Sequence, residues 1–534
     1  MPEPAALRQL CESYCDLRWH LDPVEGSGAG LAAHDGRLGT FTDDRVRQYL
    51  AALHALGGAV EALEVDELDD EIDRTALLSH VRVTEHRWRS ERPHHRDPGL
   101  WAQQVLEGLY QLLVTRDREP RALAAAACAR LEAVPEVLSD AQATLRECPR
   151  ALLEGARDAM SLGSALVREL VAACVRADAD AALRGESAAA SAEAAMATFG
   201  AHLTAMLRTA SPDAPAGVGR DALEFRLRHQ HALRESTEQL LRYAGALIEE
   251  TERHLADAAR TLGPAPWPDL VARLRSEQAP GDEVVATFRD VVERSRSHVE
   301  RADLTLLPDG DLEVLETPAF ARAWVPVAGY LPPGPHTADR TGRLFVTVPR
   351  SGDGVAGNGR HAIAATAAHE GFPGHHVQFL AAYAQDRFVR RFLASPMTVE
   401  GWALYAEELM HETGFYRTPE ERLLQLHALL WRAVRIPVDI GLHTGALTVD
   451  AAVRLLMNRV QASRGHAEAE VRRTCAMPGY PLAYAMGRRD VFALRSAYRE
   501  RAGAAYSHRA FHDAVLAYGG LAPSLVRWGM ERDA

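Results

Sequence analysis

The chain has 534 residues and a mass of 58.4 kDa, which is more than one small core needs and leaves room for two lobes or one large fold with a cleft between its halves. Its 60 basic and 73 acidic residues give a net charge of −13 and a pI near 6.0, which argues against nucleic acid as the main partner; the arginine groups Arg472-Arg473 and Arg488-Arg489 are short and fall within helical patterns. Six cysteines without paired spacing argue against a disulfide framework, "MPEPAALRQLCESYCD" lacks the apolar core of a signal peptide, and no run reads as a membrane span, so the expectation is a cytoplasmic protein without a membrane partner.

Alanine and leucine dominate and aromatic residues make up only 6%, a composition that favours packed helices over sheets. Residues 1–300 read as successive helices forming an N-terminal lobe. "TDDRVRQYLAALHALGGAVEAL" carries its apolar residues at helical spacing, with Thr42 placed to cap its start. "PGLWAQQVLEGLYQLLV" and "EPRALAAAACARLEAV" follow the same pattern. "ALEFRLRHQHALRESTEQLLRYAGALIEETERHLADAARTL" reads as one long helix that bends or breaks near Gly245. His94 and His95 follow Pro93 in a turn, and His229 and His231 point to different sides of their helix, so neither pair is expected to hold a metal.

Beyond residue 300 the pattern changes, and residues 301–534 are expected to form a second, catalytic lobe packed with the first as one large fold. "DLTLLPDGDLEVLETP" contains two strand-like pieces around a Pro-Asp-Gly turn, and "GRLFVTVPR" is a third, which together predict a small antiparallel sheet. Gly352, Gly354 and Gly357 satisfy a dinucleotide-type GxGxxG pattern between strand and helix. The acid about 20 residues on is Glu370, which ends an alanine-rich helical run rather than a second strand, so the glycines read as a flexible loop beside the cleft.

"HEGFPGHHVQF", residues 369–379, begins as zinc-hydrolase helices do but has Pro373 where a second histidine at the usual spacing would stand. In an uninterrupted helix His369 and His375 would lie roughly 9 Å apart along the axis and out of phase, and His376 roughly 10.5 Å away. Pro373 removes a helical amide hydrogen and Gly374 opens dihedrals closed to other residues, so a local bulge could turn His375 toward His369. Glu370 is then the general base for an attacking water. His376 is the competing ligand, with support of the ligands or substrate contact as its other roles; Gln378 could supply a hydrogen bond to either. In "SPMTVEGWALYAEELMHE", Glu400 and Glu407 share a helix face beside Trp402 and Tyr405, where a buried carboxylate needs a partner. Glu400 is assigned as third ligand of one Zn2+ ion and Glu407 as the acid that orients a ligand histidine.

At these residues the chain resembles the bacterial family called domain of unknown function 885, whose members resemble helical zinc peptidases of the gluzincin kind. The resemblance implies a mostly helical fold with a deep substrate channel, zinc on His369, His375 and Glu400, and the base role for Glu370. It continues through "RAVRIPVDIGLHTGALT" around Arg435, Asp439, Gly441 and His443, and "MPGYPLAYAMGRRDVFALR" around Pro478, Gly479, Tyr484 and Gly487. The recognisable blocks cover roughly residues 313–500. The chain departs from the family pattern at Tyr480, where a glutamine is expected, which bears on substrate fit.

Arg435, Asp439 and His443 recur every four residues and can form one stripe, interrupted by Pro437. On that stripe His443 becomes a donor to the oxyanion, with Asp439 holding its ring; Tyr484 is a second donor candidate, four residues after Tyr480. Arg435 or Arg488 could bind a peptide's terminal carboxylate, favouring a carboxypeptidase, whereas the new strands offer an edge to an extended peptide, favouring an oligopeptidase. The expectation is thus a mainly α, metallopeptidase-like fold with a deep cleft and a small antiparallel sheet near the site, acting on small peptides. The alternatives are another metal-dependent amide or ester hydrolase, and a nonenzymatic ligand-binding protein on a degenerated peptidase scaffold.

Overall fold

The computed structural model describes the chain except residues 1–2, 178, 212–213, 280, 282, 319–320, 323–324, 326, 350–358 and 533–534. The glycine pattern at Gly352, Gly354 and Gly357 lies outside the described residues.

Helices dominate as the composition predicts. The first half includes Asp43–Ala62, Leu68–His86, Pro98–Val114 and Pro120–Thr144. Thr42 occupies the N-cap position of Asp43–Ala62, but its side chain makes no capping hydrogen bond. The long segment expected to yield at Gly245 divides earlier, into Arg220–His229 and Thr237–Leu262. The physical reason is local: Ser236 and Gln239 form a reciprocal capping box that starts a new helix, and Gly245 sits inside that helix.

The sheet corrects the antiparallel expectation. Its strands β1 (Leu312–Glu316), β2 (Ala328–Leu331) and β3 (Gly342–Val346) lie in the order β1-β3-β2, with β1 parallel and β2 antiparallel to β3. The Pro-Asp-Gly turn makes no hairpin, because residues 304–307 before it are irregular. Gly310 instead takes φ +150°, where an added Cβ would crowd Leu380 and the Arg340 carbonyl, and β1 starts directly after it.

Five helices build the region of interest: Ile363–Glu370, His375–Tyr383, Pro396–Glu412, Pro419–Thr444 and Tyr480–Ala502. Pro396–Glu412 begins with Pro396 at its first position and Ser395 accepting the Met397 amide hydrogen. It crosses Tyr480–Ala502 at a glycine contact, since a Cβ on Gly401 would collide with Gly487 and one on Gly487 with Met397. Two large apolar cores support these helices. One runs from Leu7 to Met530, and the other joins helices between Ala151 and Met486.

Candidate metal centre

The break at Pro373 is sharper than a bulge. Helix Ile363–Glu370 stops, residues 371–374 turn with a cis Phe372–Pro373 peptide, and a new helix opens on His375. Trp402, fully buried, donates its indole hydrogen to the Pro373 carbonyl at 2.8 Å and fixes this turn against the helix that carries Glu400. Gly374 passes so close to the preceding helix that a Cβ would strike the carbonyl oxygens of Ala368 and His369.

The turn brings His369 and His375 together, with ring centroids 4.8 Å apart and planes nearly perpendicular. Glu400 Oε2 lies 3.8 Å from His369 Nε2 and 3.6 Å from His375 Nε2. These separations are too long for hydrogen bonds. Tetrahedral ligands at 2.0–2.2 Å from one ion would stand about 3.3–3.6 Å from each other. All three residues are buried, and Glu400 Oε2 has no hydrogen-bond partner. Two imidazoles and a carboxylate aimed at one point, with a buried oxygen left over, fit a zinc-type ion.

Neighbouring side chains hold the three in place. His369 Nδ1 donates to Glu407 Oε1 at 2.8 Å, which fixes the tautomer that leaves Nε2 with a free lone pair. Tyr480 donates its hydroxyl hydrogen to Glu400 Oε1. Burial, the largest effect, would lower the His369 pKa, but Glu400 and Glu407 outweigh it and raise it to about 9, so without a cation the ring is held as imidazolium and a metal ion would take the place of the Nε2 proton. Burial opposes ionisation of Glu400, yet His369 and His375 hold its carboxyl well below the usual carboxylate range.

A cavity of about 670 Å³ opens on this cluster, and His369, Glu370, Glu407 and Tyr484 form part of its wall. The Tyr484 ring lies nearly parallel to that of His369, 6.4 Å away, and its oxygen accepts a hydrogen bond from Arg473 at 3.2 Å. Burial, the largest effect, and Glu400 raise the Tyr484 pKa, so its hydroxyl keeps its proton.

Other expected site residues lie elsewhere or are already engaged. His443 is fully buried; it accepts from Val218 N at 3.2 Å and donates to Thr474 O at 3.0 Å, so both nitrogens are satisfied and no oxyanion can use it. Burial lowers its pKa to about 4. Asp439 accepts the amide hydrogens of Gly479 and Leu482, each at 3.1 Å, and thereby caps helix Tyr480–Ala502 instead of aligning a catalytic ring. Arg435 is bound by both oxygens of Glu470 at 2.7 and 2.9 Å, which commits it, and Arg488 stacks on Phe492 with Glu408 3.8 Å away and is not part of the cavity wall. His376 shares a hydrogen bond with Tyr330 at 3.1 Å and is outside the ligand cluster. Gln378 donates to Thr398 O at 2.9 Å, tying two helices together rather than touching a ligand histidine.

Sequence reasoning missed three residues of the cavity wall, Arg275, Arg432 and Arg473. They come from separate helices, and only the Arg472-Arg473 pair drew notice, as a short basic group. It also set aside His94 and His95. These lie with Asp43 as a second cluster whose ligand atoms fall within 4.8 Å of one another, although Arg146 pairs with the other Asp43 oxygen at 2.8 Å.

Comparison with known proteins gives the family. The profile of bacterial proteins of unknown function, DUF885, matches residues 23–530. The chain belongs to the DUF885 family. No curated protein matches its sequence. A solved structure from Shewanella oneidensis, provisionally described as a lipoprotein of unknown function, shares the fold with a TM-score of 0.79 at 19% identity, over 99% of this chain and 100% of that one. A second from Colwellia psychrerythraea, also provisionally described as a lipoprotein, gives 0.85 at 17% identity over 99% of both chains. The cytoplasmic expectation is corrected at this point, because both of these structures are described as lipoproteins, which speaks against it. The expectation rested on free cysteines and missing signals, which carry no positive information about compartment. Among the described residues, no helix is long and apolar enough to cross a membrane.

Proposed function

We propose that this DUF885 protein is a zinc-dependent peptidase that hydrolyses small peptides, with residues 1–300 and 301–534 packed as one large fold and the cavity walled almost wholly by residues 327–484. The observation that carries the reading is the convergence of His369, His375 and Glu400, with Glu400 Oε2 3.8 and 3.6 Å from the two histidine Nε2 atoms and ligand atoms of all three within 4.8 Å of one another, beside a cavity that reaches Glu370. Bound zinc would supply Lewis acidity, activating water and polarising a carbonyl at neutral pH.

The remaining chemistry belongs to the side chains. Glu370, half-buried in the cavity wall and next in sequence to His369, takes the proton of the attacking water and passes it to the leaving amine. Tyr484 accepts from Arg473, which leaves its own O–H free to donate to the oxyanion. Glu407 orients His369, and Tyr480 steadies Glu400. A chamber of about 670 Å³ holds only a few residues, which supports short peptides as substrates.

Purified without chelators, the protein should carry about one zinc per chain. His369→Ala and Glu400→Ala should lose it. Glu370→Gln should retain the metal while hydrolysis of a mixed peptide library falls by about 100-fold or more. Retention of full hydrolysis by Glu370→Gln would remove the proposed base, and a metal-free, inactive wild type would remove the enzyme.

A further inference from the structure

Among the described residues, four arginines line the 670 Å³ cavity, Arg275, Arg432, Arg435 and Arg473, and of these only Arg435 has a carboxylate partner. Arg435 takes both oxygens of Glu470. Arg432 and Arg473 lie near enough for their charge to help hold Glu470 ionised, but neither forms an ion pair with it. Arg473 gives one hydrogen bond to the Tyr484 oxygen and otherwise faces the Tyr480 ring at 5.7 Å. Arg432 bonds only the Ala428 carbonyl, and its buried Nε has no partner. For the Arg275 side chain, the described residues provide no hydrogen bond or ion pair, and burial depresses its pKa.

Arg275, Arg432 and Arg473 are half-buried in this wall, and guanidinium groups withdrawn from water with no carboxylate in hydrogen-bond contact can take an anion that enters the cavity. The other acids of the wall do not supply it: Glu407 is engaged with His369, and Glu370, next in sequence to that ligand, forms no ion pair with these arginines among the described residues. We propose that Arg473, Arg432 and Arg275 form the recognition site for a carboxylate on the substrate, supplied by its C-terminus or by an acidic side chain. The proposal rests on the peptidase reading for the identity of the substrate, though not for the existence of the anion site.

The position sets the register. Arg473 bonds Tyr484, and the Tyr484 ring stands 6.4 Å from that of His369. A carboxylate held there is a few residues from the metal ligands along an extended chain, at about 3.3–3.6 Å per residue. A substrate anchored by its C-terminus would therefore lose a short C-terminal piece. Of the arginines first suspected of this role, Arg435 is committed to Glu470 and Arg488 lies outside the cavity wall, and the three others take it over.

The test begins with the metal-free protein, so that binding is read apart from turnover. Calorimetric titration should show N-benzoylglycine binding at least tenfold more tightly than its amide, which has the same size and no charge. A second pair of probes, C-amidated peptides differing only as glutamate or glutamine, distinguishes a side-chain carboxylate from a terminal one. Arg473→Gln, Arg432→Gln and Arg275→Gln should each reduce the acid-over-amide preference, and Arg473→Lys should restore part of it. A preference in either pair that the substitutions erode supports the site and names the source of the anion. Equal binding of acid and amide in both pairs, or a preference that survives all three substitutions, overturns it. If the preference holds while the zinc-loaded protein cleaves no peptide, the anion site stands and the peptidase reading falls.

Discussion

His369 shows how much one residue's neighbours decide. Its Nε2 is useful to a metal only when the proton sits on Nδ1, and Glu407 holds it there through a 2.8 Å hydrogen bond in a buried setting. Glu407→Ala removes that acceptor, leaves a cavity and frees the ring to rotate. Zinc affinity should then fall by about 10–100-fold, with the fold intact, as read by competition against a chromogenic chelator. An unchanged affinity would show that packing alone aligns the ring. Tyr480, where a glutamine was expected, donates to Glu400 and is thus part of the same scaffold. Both roles were partly legible in sequence: the seven-residue spacing of Glu400 and Glu407 put them on one face, but nothing showed which of several polar partners each would find.

At the scale of elements, the decisive device is the turn between two short helices. Helical geometry alone made His369 and His375 incompatible, and the Pro-Gly pair was the visible sign that the helix would break. What the sequence could not express was the brace, since Trp402 reaches the Pro373 carbonyl from 29 positions away. Gly374→Ala inserts a Cβ against two carbonyl oxygens of the preceding helix. It should cost about 1–3 kcal/mol of stability and displace His375, so metal content after dialysis should drop in step with the denaturation midpoint. Elsewhere periodicity located helices well and misjudged connections. The stripe Arg435, Asp439 and His443 does lie on one helix, yet each member is satisfied by a different neighbour: Glu470, the start of helix Tyr480–Ala502, and Thr474 with Val218. Spacing reports a shared face and says nothing about what that face meets. The sheet failed for a related reason, because strand order depends on contacts made far along the chain.

Over the whole molecule, the number of histidines locked away uncharged has a thermodynamic consequence. Burial lowers the pKa of His427 and His443 to about 4 and of His231 and His512 to about 3. In the unfolded chain each returns to about 6.5. The native state therefore binds fewer protons than the unfolded state between these values, so the stability is full above pH 6.5 and is lost as pH falls toward 4 and 3. Each such group contributes up to about 1.4 kcal/mol per pH unit in that window. Urea midpoints measured from pH 7 to 4 should fall steeply, and a flat profile would contradict the burial of these rings. Helical class and the residues of the metal cluster could be read from composition and motif; this pattern of buried bases could not, because a lone histidine has no signature of its depth.

Ion pairs join the two halves of the chain beside the helix that carries Glu400. Asp73 is fully buried and receives Arg387 and Arg390, which also bind Asp70 and Asp69, so helix Leu68–His86 is riveted to the segment just ahead of the Glu400 helix. Prising those parts asunder would strand several charges in a dry interior, at a penalty of about 3–5 kcal/mol for each pair broken. The floor under the Glu400 helix is therefore pinned from the opposite half of the chain, a footing that any hinge at this seam would have to surrender.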